Sequence, residues 1–257
     1  LIGVTLSMAG VYRGMVDDAQ ALLDNSRADL WVVQKDTLGP YAEPSSLTED
    51  SERPIQAMRG VAQAAGVTYL TMQIAHGDKD VRVMVVGAEM GQPGLPGQPT
   101  HLISGRQIVR GHYEAVADVK TGFAIGDRVK VRRNFYTIVV LTSRMVSSGG
   151  DPMLFLSLKD AQAAQFQKDS DAIVRQRART AANPQLNPPG NPAVAQAVNA
   201  VQSGNTNVNA VLVSIARDAD PDAVAATIRR WQRLTVYTRA EMEEILVEKL
   251  IANSAKQ

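Results

Sequence analysis

The stretch from residue 104 to residue 143 constrains the fold more than any other part of the chain, because it combines two kinds of strand pattern. Apolar and charged residues alternate around Val129 and Val131, as in a strand with one buried face. Tyr136–Leu141 is a continuous run rich in β-branched residues, which predicts a more buried strand. Gly126-Asp127 and Arg133-Asn134 supply turns on either side of the first of these strands. The stretch therefore predicts a β-rich region with short connections.

Helical patterns open and close the chain. Leu1–Asn25 has apolar residues at helical spacing, in a stripe close to a heptad seam: Val4, Met8, Val11, Met15 and Leu22. Thr238 and Glu241 form the capping-box pattern of a last helix, whose apolar face is Met242, Leu246 and Leu250. Both faces are too apolar to remain in water. We therefore expect the two helices to pack side by side and antiparallel, with both chain ends on one side of the molecule.

Strands and further helices are predicted between these ends. The helices run from Ser51 or Glu52 to Gly66, from Ser157 or Leu158 to about Ala178, and from Asp220 to Leu234. The strands are Asp29–Lys35, Val67–Ala75, Val81–Ala88, Met153–Leu158, Asn209–Ala216 and Thr235–Tyr237. His76-Gly77-Asp78 would close a hairpin between two of the strands, and Asp220-Pro221 is a typical helix start.

Two segments interrupt this order. Gly91–Thr100 is rich in glycine and proline, and it predicts a linker because its prolines remove the N–H donors that a phosphate-binding loop needs. Asn183–Asn207 is rich in Pro, Asn, Gln and Ala and predicts a mobile excursion, with a short helix at Ala193–Val201. The first and last thirds resemble each other, whereas the middle is β-rich. The expected fold is α+β, with one discontinuous α/β lobe built from both chain ends and a β-rich lobe inserted into it.

Composition excludes several classes of protein. The 257 residues suffice for two compact lobes, and 45% hydrophobic residues argue against wholesale disorder. The net charge of +1 gives no electrostatic case for nucleic acid, and the absence of cysteine excludes disulfides and thiolate metal sites. Leu1–Val16 is mostly apolar but shorter than the roughly 20 residues of a membrane span. Because the sequence starts at Leu1 rather than methionine, we expect a fragment or a processed product. Since no other stretch could span a membrane, we expect it to be a soluble piece, cut from a membrane protein.

No constellation of catalytic or metal-binding residues is evident. His76, His101 and His112 lack the close spacing of a metal set, so surface or structural roles are expected. The acidic groups Asp17-Asp18 and Glu49–Glu52 lie in polar surroundings, which favours solvated faces or helix starts over a carboxylate dyad. Neither a G-x-S-x-G elbow nor a phosphate-binding G-x-x-x-x-G-K-[ST] loop occurs. We predict that the chain is not an enzyme and has no cofactor, no metal ligand and no catalytic residue.

The sequence contains two groups of cations, and the first of them leaves two interpretations open. One predicted strand and its turn carry four cations that alternate with valines: Arg128, Lys130, Arg132 and Arg133. They form either the solvent face of a half-buried strand or a rim that meets an acidic partner. A second group, Arg175, Arg177 and Arg179, is best interpreted as a solvated helix end. Leu30-Trp31 is expected in the core.

The central run from Ser104 to Ser143 contains G-R, E-A-V-A, G-D-R-V-K-V and F-Y-T-I-V-V in order. With the flanking segments Ala28–Val33, Val81–Gly87 and Ala210–Ile215, it resembles the extracytoplasmic domain of MacB-type and FtsX-type ABC transporter permeases. The Leu30–Val33 segment leans toward the DevC-like branch. Leu141 stands where that family often has glycine, and 183–207 matches nothing in it.

The resemblance implies a division of the chain. Residues 1–27 would be a stalk helix continuing from a first membrane helix, and 239–257 a stalk helix leading to a second one. Residues 28–90 and 206–238 would form a porter-like α/β lobe, and 91–205 an inserted, β-rich, sabre-like lobe. The resemblance assigns no partner-binding residues.

The same resemblance implies a function without catalysis. The chain would lie on the periplasmic side of the bacterial inner membrane and transmit ATP-driven motion to a periplasmic adaptor or exported cargo. Its partners would be a cytoplasmic ABC ATPase, a membrane-fusion or adaptor protein and a second permease copy, with no nucleic acid. The alternative is a stand-alone extracytoplasmic binding module for a peptide, lipid or polymer. An enzyme is the third and least favoured class.

Overall fold

The computed structural model describes residues 2–41, 45–105, 112–165, 175, 207–231 and 234–256. All but the last residue of the predicted excursion Asn183–Asn207 lies outside the described residues, as do Arg177 and Arg179. The helices are α1 (Ile2–Ser26), α2 (Glu52–Gln56), α3, which starts at residue 158 and is described to residue 165, α4 (Pro221–Arg229) and α5 (Arg239–Ser254).

The strands include one long antiparallel hairpin in the first half of the chain and shorter strands around it. They are β1 (Leu30–Gln34), β2 (Leu47–Thr48), β3 (Val61–His76), β4 (Lys79–Ala88), β5 (Leu102–Gly105), β6 (Glu114–Asp118), β7 (Arg128–Val131), β8 (Asn134–Thr142), β9 (Met153–Ser157), β10 (Asn207–Val208), β11 (Ala210–Ile215) and β12 (Leu234–Thr238). Short 3₁₀ turns occupy Glu49–Ser51 and Val119–Thr121.

Ten strands form one mixed sheet. Its order is β12-β1-β11-β3-β4-β9-β6-β8-β5, and β7 pairs with β8 beside β5. The pairs β4–β9 and β6–β8 are parallel, and the other pairs are antiparallel. Strands from the two chain ends alternate at one end of the sheet, and those of the middle extend it at the other. The predicted α+β class, with a β-rich insert and helices at both termini, is confirmed.

The central stretch folds largely as its pattern predicts. Residues of β7 are alternately exposed and buried, with Val129 and Val131 inside. Gly126 lies in the preceding turn at φ +93°, in the left-handed region that glycine adopts without strain. The following turn is Arg132-Arg133, one residue earlier than predicted, because β8 already starts at Asn134. From Tyr136 to Thr142, residues of β8 alternate between buried and half-buried, so this part of the strand is more buried than β7, as predicted.

Two helix predictions are wrong in extent. The helix that starts at Glu52 ends at Gln56, and Val61–His76 is a strand that pairs with β11 and β4. Gly66 is not a helix cap: a Cβ there would lie 2.8 Å from Val208 Cγ1, so this strand glycine admits a close neighbour. The helix starting after Asp220 ends at Arg229, because β12 begins at Leu234.

Three apolar clusters hold the sheet and helices together. The first joins α1, α5 and strands from both ends of the sheet through Leu23, Trp31, Phe155, Leu212 and Met242. The second lies among β3, β4, β6, β7, β8 and β9, and the third beneath α2 and α4. Strands β3 and β4 contribute residues to both the first and the second cluster, so one sheet connects these two parts of the core. The boundaries at residues 90–91 and 205–206 between two lobes stay a prediction.

Candidate functional site

The two terminal helices lie alongside each other and form the candidate site. Their contacts, taken outward from the sheet, are Asp24 with Arg239 and Gln20 with Glu243. Farther out, both helices line one groove, to which α1 contributes Tyr12 and α5 contributes Ile251. The Gln20 amide donates to the Glu243 carboxylate at 3.1 Å. Residue numbers fall along α1 as they rise along α5, so the helices are antiparallel. The prediction that they pack together in this way is confirmed.

The apolar stripe on α1 is only partly covered. Val4, Met8 and Val11 are 57–70% exposed, and burial starts near Met15 and becomes complete at Leu23. The expectation that this stripe is too apolar to remain in water is wrong for Val4, Met8 and Val11, since α5 (Arg239–Ser254) lies against the second half of α1. The first turns of α1 therefore extend past the end of α5.

Polar contacts fix the base of α1 to two loops of the sheet. Asn25 is buried; its amide nitrogen donates to the carbonyl oxygen of Arg144 at 2.9 Å, and its amide oxygen lies 2.8 Å from His101 Nε2. The Gly97 N–H donates to the carbonyl oxygen of Ser26 at 2.8 Å. These bonds satisfy groups at the helix end that would otherwise be buried without a partner. These bonds hold the end of α1 to both loops.

Capping residues fix the start of α5. The Thr238 side chain accepts from the Glu241 N–H, and the Glu241 side chain accepts from the Thr238 N–H at 3.1 Å, so the predicted capping box is confirmed. Arg229 on α4 donates to Glu241 at 2.7 Å. Burial by itself would raise the pKa of Glu241, but the bonds from Thr238 and the charge of Arg229 outweigh it and lower that pKa. The ion pair thus ties α5 to α4.

A buried aromatic group lies beneath the middle of α5. Lys249 donates to the carbonyl oxygen of Tyr41, and the Trp31 indole N–H donates to the Tyr41 hydroxyl at 3.3 Å. The rings of Tyr41 and Tyr69 are 5.6 Å apart. Burial raises the pKa of Tyr41, raises that of Tyr69 well above its ordinary value, and lowers the pKa of Lys249. Sequence reasoning missed Lys249 and Tyr41, since no motif marks either residue.

Two clefts flank the loop of residues 147–151 beside α5. Each has a volume of about 480 Å³, and Ser147 and Ser148 line both. Lys249 borders one cleft, and Leu250 borders the other. Met242 and Leu246, in the first half of α5, are fully buried. Because the clefts border Lys249 and Leu250, α5 is packed less closely toward its end.

The three histidines have separate structural surroundings. His76 packs on Phe123, with ring centroids 4.9 Å apart, and His101 bonds Asn25 at the base of α1. His112 Nδ1 lies 3.1 Å from the Asp160 carboxylate at the start of α3. Within the described residues, no three side chains of His, Asp or Glu come together as a metal site. The absence of a cofactor stays a prediction.

The acidic candidates are also dispersed. Asp17 and Asp18 are exposed on α1, and Glu49 and Asp50 form a 3₁₀ turn before α2. Glu52 accepts from the Gly66 N–H at 3.2 Å, which links α2 to β3. These carboxylates are therefore not arranged as a catalytic dyad, which needs two carboxylates together in an apolar cleft. Arg175 is described as helical and exposed, and Trp31 is fully buried as expected.

None of the helices in the described part of the chain combines the length and apolar character of a membrane span.

Comparisons with known proteins agree with this arrangement. The family model of the MacB-like periplasmic core domain matches residues 2–231. The chain is 24% identical over 162 residues to uncharacterized ABC transporter permeases of Mycobacterium tuberculosis strains CDC 1551 / Oshkosh and H37Rv. The match covers 63% of this chain and 45% of each relative, so the chain spans under half of those proteins.

Two solved structures have a similar fold. The periplasmic region of MacB from Actinobacillus actinomycetemcomitans aligns with a TM-score of 0.51 and 9% identity, over 91% of this chain and 98% of that one. The extracellular domain of the transporter YknZ from Gram-positive bacteria aligns with a TM-score of 0.50 and 11% identity, over 82% and 99%. The chain belongs to the family of MacB-like periplasmic core domains, which are extracytoplasmic parts of ABC transporter permeases.

Proposed function

We propose that this chain transmits ATP-driven motion from two membrane helices to a periplasmic adaptor or exported cargo, without catalysis of its own. The observation that carries the proposal is the antiparallel pair α1 and α5, which leaves the sheet as one unit, called the stalk below. Residues 2–12 of α1 carry no charge, and their large apolar side chains from Val4 to Tyr12 are 55–70% exposed. Such a surface suits continuation toward a bilayer.

The contacts at the base of the stalk would carry the motion into the sheet. Asn25 holds α1 to two loops, Arg239 joins the two helices, and Lys249 holds α5 to the carbonyl oxygen of Tyr41. Packed side chains and buried hydrogen bonds transmit displacement because they deform little. In the proposed assembly, a cytoplasmic ABC ATPase drives the stalk, and a second permease copy faces the first across the periplasmic side of the inner membrane.

A spin label in place of Ala226, exposed on α4, tests this function in the full-length transporter with its ATPase. We expect one intercopy distance without nucleotide and a different one with a non-hydrolysable ATP analogue. Lys249→Met should reduce the difference because it removes the bond to Tyr41. Lys256→Met, an exposed change in the turn after the same helix, should not. A distance that stays fixed while ATP binds would contradict transmission, and the lack of any intercopy distance would contradict the paired copies.

A further inference from the structure

The hairpin of β7 and β8 carries a basic and aromatic surface that the stalk contacts do not use. Arg128, Lys130 and Phe135 are exposed on its outer side and are named the basic hairpin face. The guanidinium carbon of Arg128 lies 5.0 Å from the centroid of the Phe135 ring, and Lys130 Nζ lies 5.8 Å from it. Attraction between the cations and the ring holds the three side chains together in one surface.

Within the part of the chain that the structure describes, neither cation of this face is neutralised by a carboxylate. The connecting turn adds a third cation, Arg132. Arg132 has φ +59°, in the left-handed region that favours glycine or asparagine, so this turn keeps a cation where a less strained residue would fit. The result is a local positive charge on a chain whose net charge is only +1.

Apolar surface accompanies the charge. Phe135 and Ile125 are each 47% exposed, and Ile125 lies in the segment that leads into β7. Arginine and large aromatic side chains are the residues enriched at the energetically important centres of protein interfaces. Val129 and Val131 are buried on the opposite side of β7, which gives the face a rigid support.

We propose that the basic hairpin face docks an acidic surface of a protein partner, with Phe135 entering an apolar pocket and both cations pairing with carboxylates around it. A second copy does not fit this face, because symmetric pairing would place the same cations opposite each other. A polyanion such as nucleic acid is disfavoured because the chain offers it almost no net attraction and presents apolar residues among the cations. The inference goes beyond the proposed function, since it does not depend on movement of the stalk.

Photocrosslinking in the native host tests this surface in the full-length protein. Benzoylphenylalanine replaces Phe135 in one strain and Leu38, which is 51% exposed on the β1–β2 connection, in the control strain. The crosslinking group at 135 is then combined with Arg128→Glu plus Lys130→Glu, or with the charge-preserving Arg128→Lys plus Lys130→Arg. All changed side chains are exposed, so equal circular dichroism and melting temperatures are expected.

The proposal predicts one discrete adduct with a different protein at position 135 and not at 38. Charge reversal should reduce it at least about tenfold, and the charge-preserving pair should retain it. The captured protein, once purified, should bind this chain more weakly as NaCl rises from about 0.1 M to about 1 M, where the screening length falls from about 10 Å to about 3 Å. An adduct of two copies, an adduct with lipid or nucleic acid, insensitivity to charge reversal or salt, or equal labelling at 38 would each overturn it.

Discussion

Glu52 links α2 to β3, and Lys249 links α5 to the carbonyl oxygen of Tyr41. Burial raises the pKa of Glu52 and lowers the pKa of Lys249. Glu52 on α2 accepts from the Gly66 N–H of β3, and it lies near the carboxylates of Glu49 and Glu89. Desolvation by burial is the largest influence and raises the pKa of Glu52 above 4.5; the Gly66 bond opposes it only in part. A carboxylate whose pKa is raised in the folded state costs stability once it is ionised.

Glu52→Gln keeps an oxygen that can accept from Gly66 but removes this charge. Wild-type protein should lose stability relative to the variant as the pH rises from 4.5 through the higher pKa of folded Glu52. We therefore expect the variant to be the more stable protein at about pH 7 and the two to be similar at about pH 4 in urea denaturation. Exposed Glu244→Gln is the matched control for replacing a carboxylate with an amide at a surface position. A wild-type protein more stable than the variant at neutral pH would contradict the expectation.

The roles of two strand glycines could not be predicted from the residues around them in the sequence. Gly66 was interpreted as a helix end, but its role depends on Val208, which lies 142 positions away in the sequence and 2.8 Å from its would-be Cβ. A Cβ at Gly87 would likewise lie 2.3 Å from Thr68 Oγ1 and 2.4 Å from Ala161 Cβ. Close approaches between distant segments leave no local pattern, whereas turn glycines such as Gly126 do.

At the scale of elements, local chemistry predicted starts better than ends. The capping residues Asp220 and Thr238 begin helices as predicted, because a cap bonds N–H groups only two or three residues away. The predicted end of α2 at Gly66 was wrong because Val61–Gly66 pairs with β11, and that tertiary pairing overrides the local preference for helix. The stripe of α1 was correct as a helix pattern, but the pattern did not show which part of it lies against α5.

Substitutions on α1 should have different effects on stability at its buried end and at its exposed end. Leu23 is fully buried among Trp31, Phe155 and other core residues, so Leu23→Ala should cost about 2–5 kcal/mol through lost contacts and a cavity. Leu6 is 69% exposed, and Leu6→Ala should change the free energy of unfolding by less than about 0.5 kcal/mol in detergent-free buffer. Urea denaturation of both variants measures the difference. Equal losses would show that α1 is packed along its whole length.

At the scale of the molecule, one sheet extends from β12 next to the stalk to β5 and β7 at its other end. The order of motifs in the sequence indicated the family and the α+β class, since strands from both chain ends must meet when the middle forms an insertion. It gave no sign of the Tyr41–Lys249 contact or of the clefts beside α5, because these join residues more than 100 positions apart whose types are common at any surface.

The central claim is that α1 and α5 form one antiparallel stalk in the full-length transporter. Spin labels at Ala9→Cys and Ala252→Cys, both exposed, test it most directly by pulsed electron resonance in bilayers, with labelled copies diluted by unlabelled ones. Since packed helices lie about 8–10 Å apart, we expect a label separation of about 10–20 Å with and without ATP. A separation beyond about 40 Å, which no packed pair of helices reaches, would contradict the stalk.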